Sequence, residues 1–98
     1  MSEYNKPKLI WSAAALRDME RLRNFIEPHN RDAARRAAEA IKKAVFLIGE
    51  YPAMGKIVED RQEREIFIPF GQRGYEMRYR IHDNTVVILR IWHGLEDR

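Results

Sequence analysis

Residues 74–94, GYEMRYRIHDNTVVILRIWHG, constrain this chain more than any other stretch, because they spell a β-hairpin together with its turn. Tyr75, Met77, Tyr79 and Ile81 alternate with Glu76, Arg78, Arg80 and His82, the period of two expected of a strand with one face in a core. Residues 86–92 follow as a nearly continuous β-branched and aliphatic run. Between them, Asp83-Asn84 tolerates the positive φ that a tight hairpin loop requires. With those two residues as the loop, an uninterrupted ladder sets Ile81 opposite Val86, Tyr79 opposite Ile88, Met77 opposite Arg90 and Tyr75 opposite Trp92, all on one face. The other face then carries Arg78 and Arg80 beside Val87, Leu89 and Ile91. Guanidinium groups mixed with aliphatic surface are awkward to bury and costly to leave in water, which marks that face for a partner or substrate.

A chain of 98 residues with 45% hydrophobic content is sized for one domain, residues 1–98, with one modest core. Residues 1–7 read as a flexible N-terminal tail. The absence of cysteine removes disulfides, thiolate chemistry and every Cys-based zinc site. The opening MSEYNKPK has no apolar signal region, and no apolar run approaches the ~20 residues needed to span a bilayer. The expectation is a soluble cytoplasmic protein without membrane association. Eighteen Lys and Arg against fifteen Asp and Glu leave a formal charge of +3, a mild surplus that favours an acidic partner without specifying one.

In chain order, Lys8-Leu9-Ile10-Trp11 is a short apolar run that reads as a strand, and Ser12 follows as the N-cap of a helix. Leu16, Met19, Leu22 and Ile26 recur at helical spacing, with Arg17, Asp18, Glu20, Arg21 and Arg23 on the outer face. Pro28 ends this helix near Glu27. Asn30 caps a second helix, about residues 31–48, whose Ala34, Ala37, Ala38, Ile41, Val45 and Ile48 form one stripe. Its small residues predict a close antiparallel αα-hairpin. Residues 49–55 turn the chain, residues 56–64 read as loop or edge, and residues 65–70 resume a strand pattern that Pro69 interrupts. The order β-α-α-β-β-β predicts an α+β fold, an antiparallel sheet covered on one face by the αα-hairpin, with the partner of the first strand left open.

The sequence carries no phosphate-cradling glycine loop, nucleophile elbow or helical zinc pattern, so no metal or cofactor is expected. His29 and His82 read as surface turn residues. His93 closes the last strand directly after Trp92, and reads either as a structural side chain or as a functional group at a strand end. Arg78 and Arg80 share the open hairpin face, with Arg64 and Arg73 on the preceding strand and turn and Arg98 at the tail. Gathered around one sheet face, several such arginines suit phosphates or carboxylates. Tyr75, Tyr79 and Trp92 share the alternation of Met77 and Ile81, which assigns them to core packing.

Several patterns then line up: W-S-x-x-A-L-x-D from Trp11, an alanine-rich helix running into Leu47-Ile48-Gly49-Glu50-Tyr51-Pro52-Ala53-Met54-Gly55, Arg64-Glu65, Y-x-x-x-Y-R-I from Tyr75 and V-x-I-L-R-I-W-H-G from Val86. In this order and spacing they resemble the RelE/ParE superfamily of type II toxin–antitoxin toxins over nearly the whole chain. The resemblance implies a compact toxin neutralised by a cognate antitoxin, ParD-like for the ParE branch, in a hetero-oligomer. ParE-like members inhibit DNA gyrase, whereas RelE-like members cleave mRNA on the ribosome using basic residues and often a terminal Tyr or His. The αα-hairpin, the Y-R-I strand and the lack of a tyrosine after Trp92 resemble ParE more closely. On that reading no residue is catalytic, and Arg64, Arg73, Arg78, Arg80, Val87, Leu89, Ile91 and Trp92 form the surface for antitoxin or target. On the ribonuclease reading the working set is His93 with Arg64, Arg78, Arg80 and Arg98, although a lysine cluster near Lys56 is missing. A small RNA-binding domain without toxicity is the third alternative.

Overall fold

A computed structural model describes residues 6–58 and 62–96. Both helices begin where a capping side chain is available. The Ser12 hydroxyl accepts a hydrogen bond from the Ala15 N–H at 2.9 Å, and Asn30 accepts one from the Ala33 N–H at 2.9 Å. Each cap satisfies one of the amides that the first helical turn leaves without an intrahelical partner. The elements run β1 (Lys8–Trp11), α1 (Ala13–Ile26), α2 (Arg31–Glu50), a 3-10 turn (Pro52–Met54), β2 (Lys56–Ile57), β3 (Glu63–Ile68), β4 (Tyr75–His82) and β5 (Thr85–His93). Most of the expected N-terminal tail lies outside the described residues. Lys6 at its end pairs with Glu50 of α2 at 2.7 Å.

The sheet order is β1-β5-β4-β3-β2. The α+β reading holds, with one correction, since the sheet is mixed. β1 pairs with β5 in parallel, Lys8 beside Thr85 through Trp11 beside Ile88, while every other pair is antiparallel. The αα-hairpin carries the chain away from β1, and the β3-β4-β5 meander brings β5 back running in the same direction. The segment expected to be loop or edge contributes the short edge strand β2 and the first two residues of β3. Both helices cover one face. Leu22 of α1 and Ile41, Val45 and Ile48 of α2 bury against Tyr75, Met77, Tyr79, Val86, Ile88 and Ile91 of the sheet.

The hairpin turn is as the sequence predicts, with Asp83 at φ 47° and Asn84 at φ 58°, values that suit a type I′ loop. Ile81 faces Val86 and Tyr79 faces Ile88, but beyond them the register shifts. Arg78 lies opposite Arg90, Met77 opposite Ile91 and Tyr75 opposite His93, leaving Leu89 as the extra residue of a β-bulge. An extra residue exchanges the two faces for everything after it. Four placements expected from an uninterrupted ladder are therefore corrected, the first being Arg90, which lies opposite Arg78 on the open face rather than opposite Met77. Ile91 is fully buried in the core, Trp92 turns to the open face, and His93 turns to the helix-covered face beside Tyr75.

Candidate functional site

The bulge sits where β1 ends and α1 takes over the edge of β5. The Ser12 N–H donates to Ile88 O at 3.0 Å and its hydroxyl to Leu89 O at 3.0 Å. Six residues on, Asp18 accepts from the Ile91 N–H at 2.8 Å. The first turns of α1 thus continue the edge pairing that a strand would otherwise supply, which accounts for the distorted ladder. Asp18 was expected on the outer face of its helix. It is instead 2% exposed, on the same stripe as the buried Ala15 and Leu22.

Arg90 reaches Asp18 through Nε at 2.8 Å and its second terminal nitrogen at 3.2 Å, and Arg21 reaches it at 2.5 Å. Arg21 also donates to Ile91 O and bridges to Glu96 at 2.8 and 2.9 Å, while Glu96 accepts from the His93 N–H at 2.8 Å. Burial pushes the Asp18 carboxyl up, but hydrogen bonds from Arg90, the Ile91 N–H and Arg21 outweigh it and hold the group below the usual carboxylate range. Glu96 follows the same logic, with burial opposed and overcome by Arg21 and the His93 N–H. The network ties α1, β5 and the chain after it into one unit.

On the open face, the Trp92 ring is flanked by two guanidinium groups, Arg78 at 5.3 Å and Arg90 at 5.2 Å from its centroid, within cation–π range. Arg78 is held from the other side by Glu65 at 2.8 and 2.5 Å and by Glu63 at 3.7 Å. Arg80, exposed, stands between Glu63 and Val87 on neighbouring strands. This is a fixed aromatic–cation surface edged by carboxylates.

Of the other expected site residues, Val87 joins this face opposite Arg80, whereas Arg64, Ile91 and His93 do not. Arg64 lies on the helix-covered face, paired with Tyr79, and donates to Ala53 O at 3.1 Å and Gly55 O at 2.8 Å. The Tyr79 hydroxyl accepts from the Gly55 N–H at 2.8 Å and donates to Pro52 O at 2.7 Å, so the two side chains together fasten the turn after α2. Gly55 is required there, because a Cβ would stand 2.6 Å from the Tyr79 oxygen. Arg73 is exposed in the turn before β4. Leu89 is the half-buried bulge residue, and Val87 lies half-buried opposite Arg80. The His93 ring meets Tyr75 edge-on at 5.4 Å, its Nδ1 accepts from the Leu95 N–H at 3.1 Å, and it lines a cleft of about 290 Å³ with Phe25 and Leu95. Arg98 lies outside the described residues. Among the described residues no cluster could hold a metal ion, and no helix is long and apolar enough to cross a membrane.

The family model for the ParE toxin of the type II toxin–antitoxin system parDE matches residues 9–98. The chain belongs to this family. Toxin RelE1 of Caulobacter vibrioides is 40% identical to it over 90 residues, 92% of this chain and 96% of the relative. Toxin RelE3 of the same organism is 33% identical over 84 residues, 86% of this chain and 90% of the relative. Among solved structures, the chromosomal ParDE toxin–antitoxin system of P. aeruginosa matches with a TM-score of 0.76 at 18% identity, over 90% of this chain and 96% of that one. The intact E. coli RelBE toxin–antitoxin complex matches with a TM-score of 0.63 at 18% identity, over 94% and 99%. This ParE-family toxin therefore shares its two-helix, mixed-sheet fold with toxins of both branches.

The sequence-level reading missed Asp18, Arg21, Arg90 and Glu96. The available signal was an acid on the 15, 18, 22 stripe of α1, at the spacing of the buried face.

Proposed function

We propose that this type II toxin acts by binding rather than by cutting. DNA gyrase in the cytoplasm is the target, and a ParD-like antitoxin neutralises the toxin in a hetero-oligomer by covering the face around Trp92. The observation that carries the proposal is that, among the described residues, His93, Arg64 and Arg78, which a ribonuclease would combine, are each engaged in a different place. Cleavage of RNA by its own 2′-hydroxyl needs a proton acceptor, a proton donor and a group that stabilises the charged phosphate, all around one atom. Here His93 packs on Tyr75 under the helices, Arg64 holds backbone carbonyls, and Arg78 is engaged by Glu65 on the opposite side of the sheet. The flanked Trp92, by contrast, offers a ready surface for a protein.

Two assays on the purified toxin test this: gyrase supercoiling, and cleavage of mRNA in a translating extract. Loss of supercoiling with intact mRNA is the expected result, and ribosome-dependent cleavage with unimpaired supercoiling would overturn it. His93→Ala separates the readings in cells. Toxicity persists if the toxin is a binder, whereas a ribonuclease using His93 slows by about 10²–10⁴-fold. The relatives named RelE favour the ribonuclease as the second reading. For the antitoxin, the double substitution Arg78→Glu, Arg80→Glu weakens the complex by about 2–5 kcal/mol if those charges are covered there, and unchanged affinity with an intact fold removes that face from the interface.

A further inference from the structure

β1 forms an outer edge of the sheet, with β5 on one side only. The Lys8 N–H donates to Asn84 O and the Ser12 N–H to Ile88 O, both at 3.0 Å, so the even-numbered residues of this stretch direct their backbone groups at β5. Alternate residues of a strand point these groups in opposite directions. Leu9 and Trp11 therefore direct theirs outward, and among the described residues no backbone partner meets them. Exposed edges in soluble proteins are ordinarily blunted by charge or proline, or covered by another chain. Here Pro7 and Lys8 stand at the start of the strand and the next three residues are Leu, Ile and Trp. Leu9 and Ile10 remain 39% and 48% exposed.

Leu9 lies under α2, its Cδ1 3.4 Å from where a Cβ on Gly49 would stand, and Trp11 lines a cleft of about 400 Å³ with Leu16, Met19, Lys42 and Val45. Both side chains belong to the helix-covered side of the sheet, and Ile10, beside Val87, to the open side. The two outward residues flank Ile10, which makes the strand complementary to itself. In an antiparallel pair of β1 strands centred on Ile10, Leu9 of each copy lies opposite Trp11 of the other, and each such pair exchanges two N–H···O bonds. Leu9 of the second copy then meets the Trp11 indole, Ile10 meets Ile10, and Lys8 stands opposite Ser12, so no like charges face each other. Neighbouring registers fit less well. Centring on Leu9 sets Trp11 opposite Pro7, which has no N–H to give, and centring on Trp11 sets Leu9 opposite Ala13, already the first residue of α1.

We infer that two copies of this toxin pair through β1 about a two-fold axis at Ile10, joining their five-stranded sheets edge to edge. An isologous contact of this kind closes on itself, so it ends at a dimer. A second copy is the occupant because the strand's own sequence satisfies every outward group, whereas an acidic partner would find in it only Lys8. The contact involves neither Trp92 nor the arginines beside it, so the inference stands whether the target is gyrase or the ribosome.

Sedimentation equilibrium of the purified full chain at micromolar concentration gives the mass of a dimer. Ile10→Lys, at a half-exposed position, sets two ammonium groups together on the axis and raises the dissociation constant roughly tenfold or more. Because the chain has no cysteine, single cysteine variants report the register. Ile10→Cys places two thiols across a non-hydrogen-bonded pair with Cα atoms about 4.5 Å apart, and it oxidises to a covalent dimer. Lys8→Cys, ~14 Å from its counterpart in this register, does not. The cysteine pair decides the matter if the lysine variant does not fold. A monomeric wild type, wild-type dimerisation by a folded Ile10→Lys protein, or cross-linking of Lys8→Cys as fast as Ile10→Cys overturns the inference. So does a monomeric toxin in which added antitoxin shields the Ile10→Cys thiol from maleimide, since the antitoxin would then be the occupant.

Discussion

Asp18 and Asp32 each gather two arginines, and the contrast between them separates what stabilises this toxin from what decorates it. Asp32 pairs with Arg35 at 2.6 Å and Arg36 at 3.0 Å, three and four residues along the same helix, with its side chain 60% exposed. Asp18 joins Arg21 to Arg90, far away in sequence, with a side chain only 3% exposed and the Ile91 N–H as a further donor. Both carboxyls are held below their usual range, Asp32 by hydrogen bonds from Arg35 and Arg36, Asp18 by donors that overcome its burial. The same direction of shift has different structural weight. Around Asp32 water can replace any lost arginine, whereas around Asp18 nothing can. An exposed i,i+4 lattice supports one helix, while the buried group fixes how α1 meets β5.

The largest effect should come from Asp18→Ala. Removing one partner of a buried ionic group leaves the other charges and the Ile91 N–H without compensation, at a cost of about 3–5 kcal/mol. Urea denaturation should show the midpoint fall steeply, and a loss below 1 kcal/mol would mean that water enters the site and that the two aspartates are alike.

Acid titration removes the same interaction gradually. The folded values of Asp18 and Glu96 are lowered relative to the unfolded chain. Between the folded and unfolded values the unfolded chain binds more protons, so stability rises with pH there. It is complete above the ordinary carboxylate value of about 4, and is lost as the pH falls through the folded values. Denaturation midpoints measured across that window should show a shallower acid slope in Asp18→Asn than in the wild type. Equal slopes would assign the acid sensitivity elsewhere.

Tyr79→Phe sharpens the comparison by removing a buried hydrogen bond that involves no ion. The Gly55 N–H loses its acceptor, and the expected cost is about 1–3 kcal/mol, read from the same denaturation curves. A midpoint equal to wild type would show that Arg64 alone holds the turn. The smallest effect belongs to Asp32→Ala, whose midpoint should be indistinguishable from wild type at moderate salt. A clear fall there would give the helix-surface lattice a role that its exposure argues against.

The fold was legible where the chain's local chemistry decides the outcome. Ser12 and Asn30 cap the helices from their own first turns, the spacing of Ile41, Val45 and Ile48 sets the inward stripe of α2, and Asp83-Asn84 adopts positive φ within its own loop. The site was less legible. Arg78 and Arg80 could be assigned to the open face because they lie on β4, whose alternation is unbroken. Arg64 shares the parity of Ile66 and the buried Ile68, so the alternation of β3 already assigns it to the inward face where the structure places it opposite Tyr79.

The amino-acid sequence by itself determined both helices, the first strand, the hairpin strands, their order, the hairpin turn and the register next to it, since each rests on residues close together in the chain. Only the tertiary structure decided what happens after Ile88. A period of two assigns faces until one residue is left unopposed, and Leu89 is unopposed where α1, more than seventy residues earlier, replaces β1 along the β5 edge through Ser12 and Asp18. With that shift Ile91 is buried, Trp92 turns out to Arg78 and Arg90, and His93 turns in against Tyr75. Alternation along β5 cannot anticipate it, because the groups that draw the strand out of register belong to a different element.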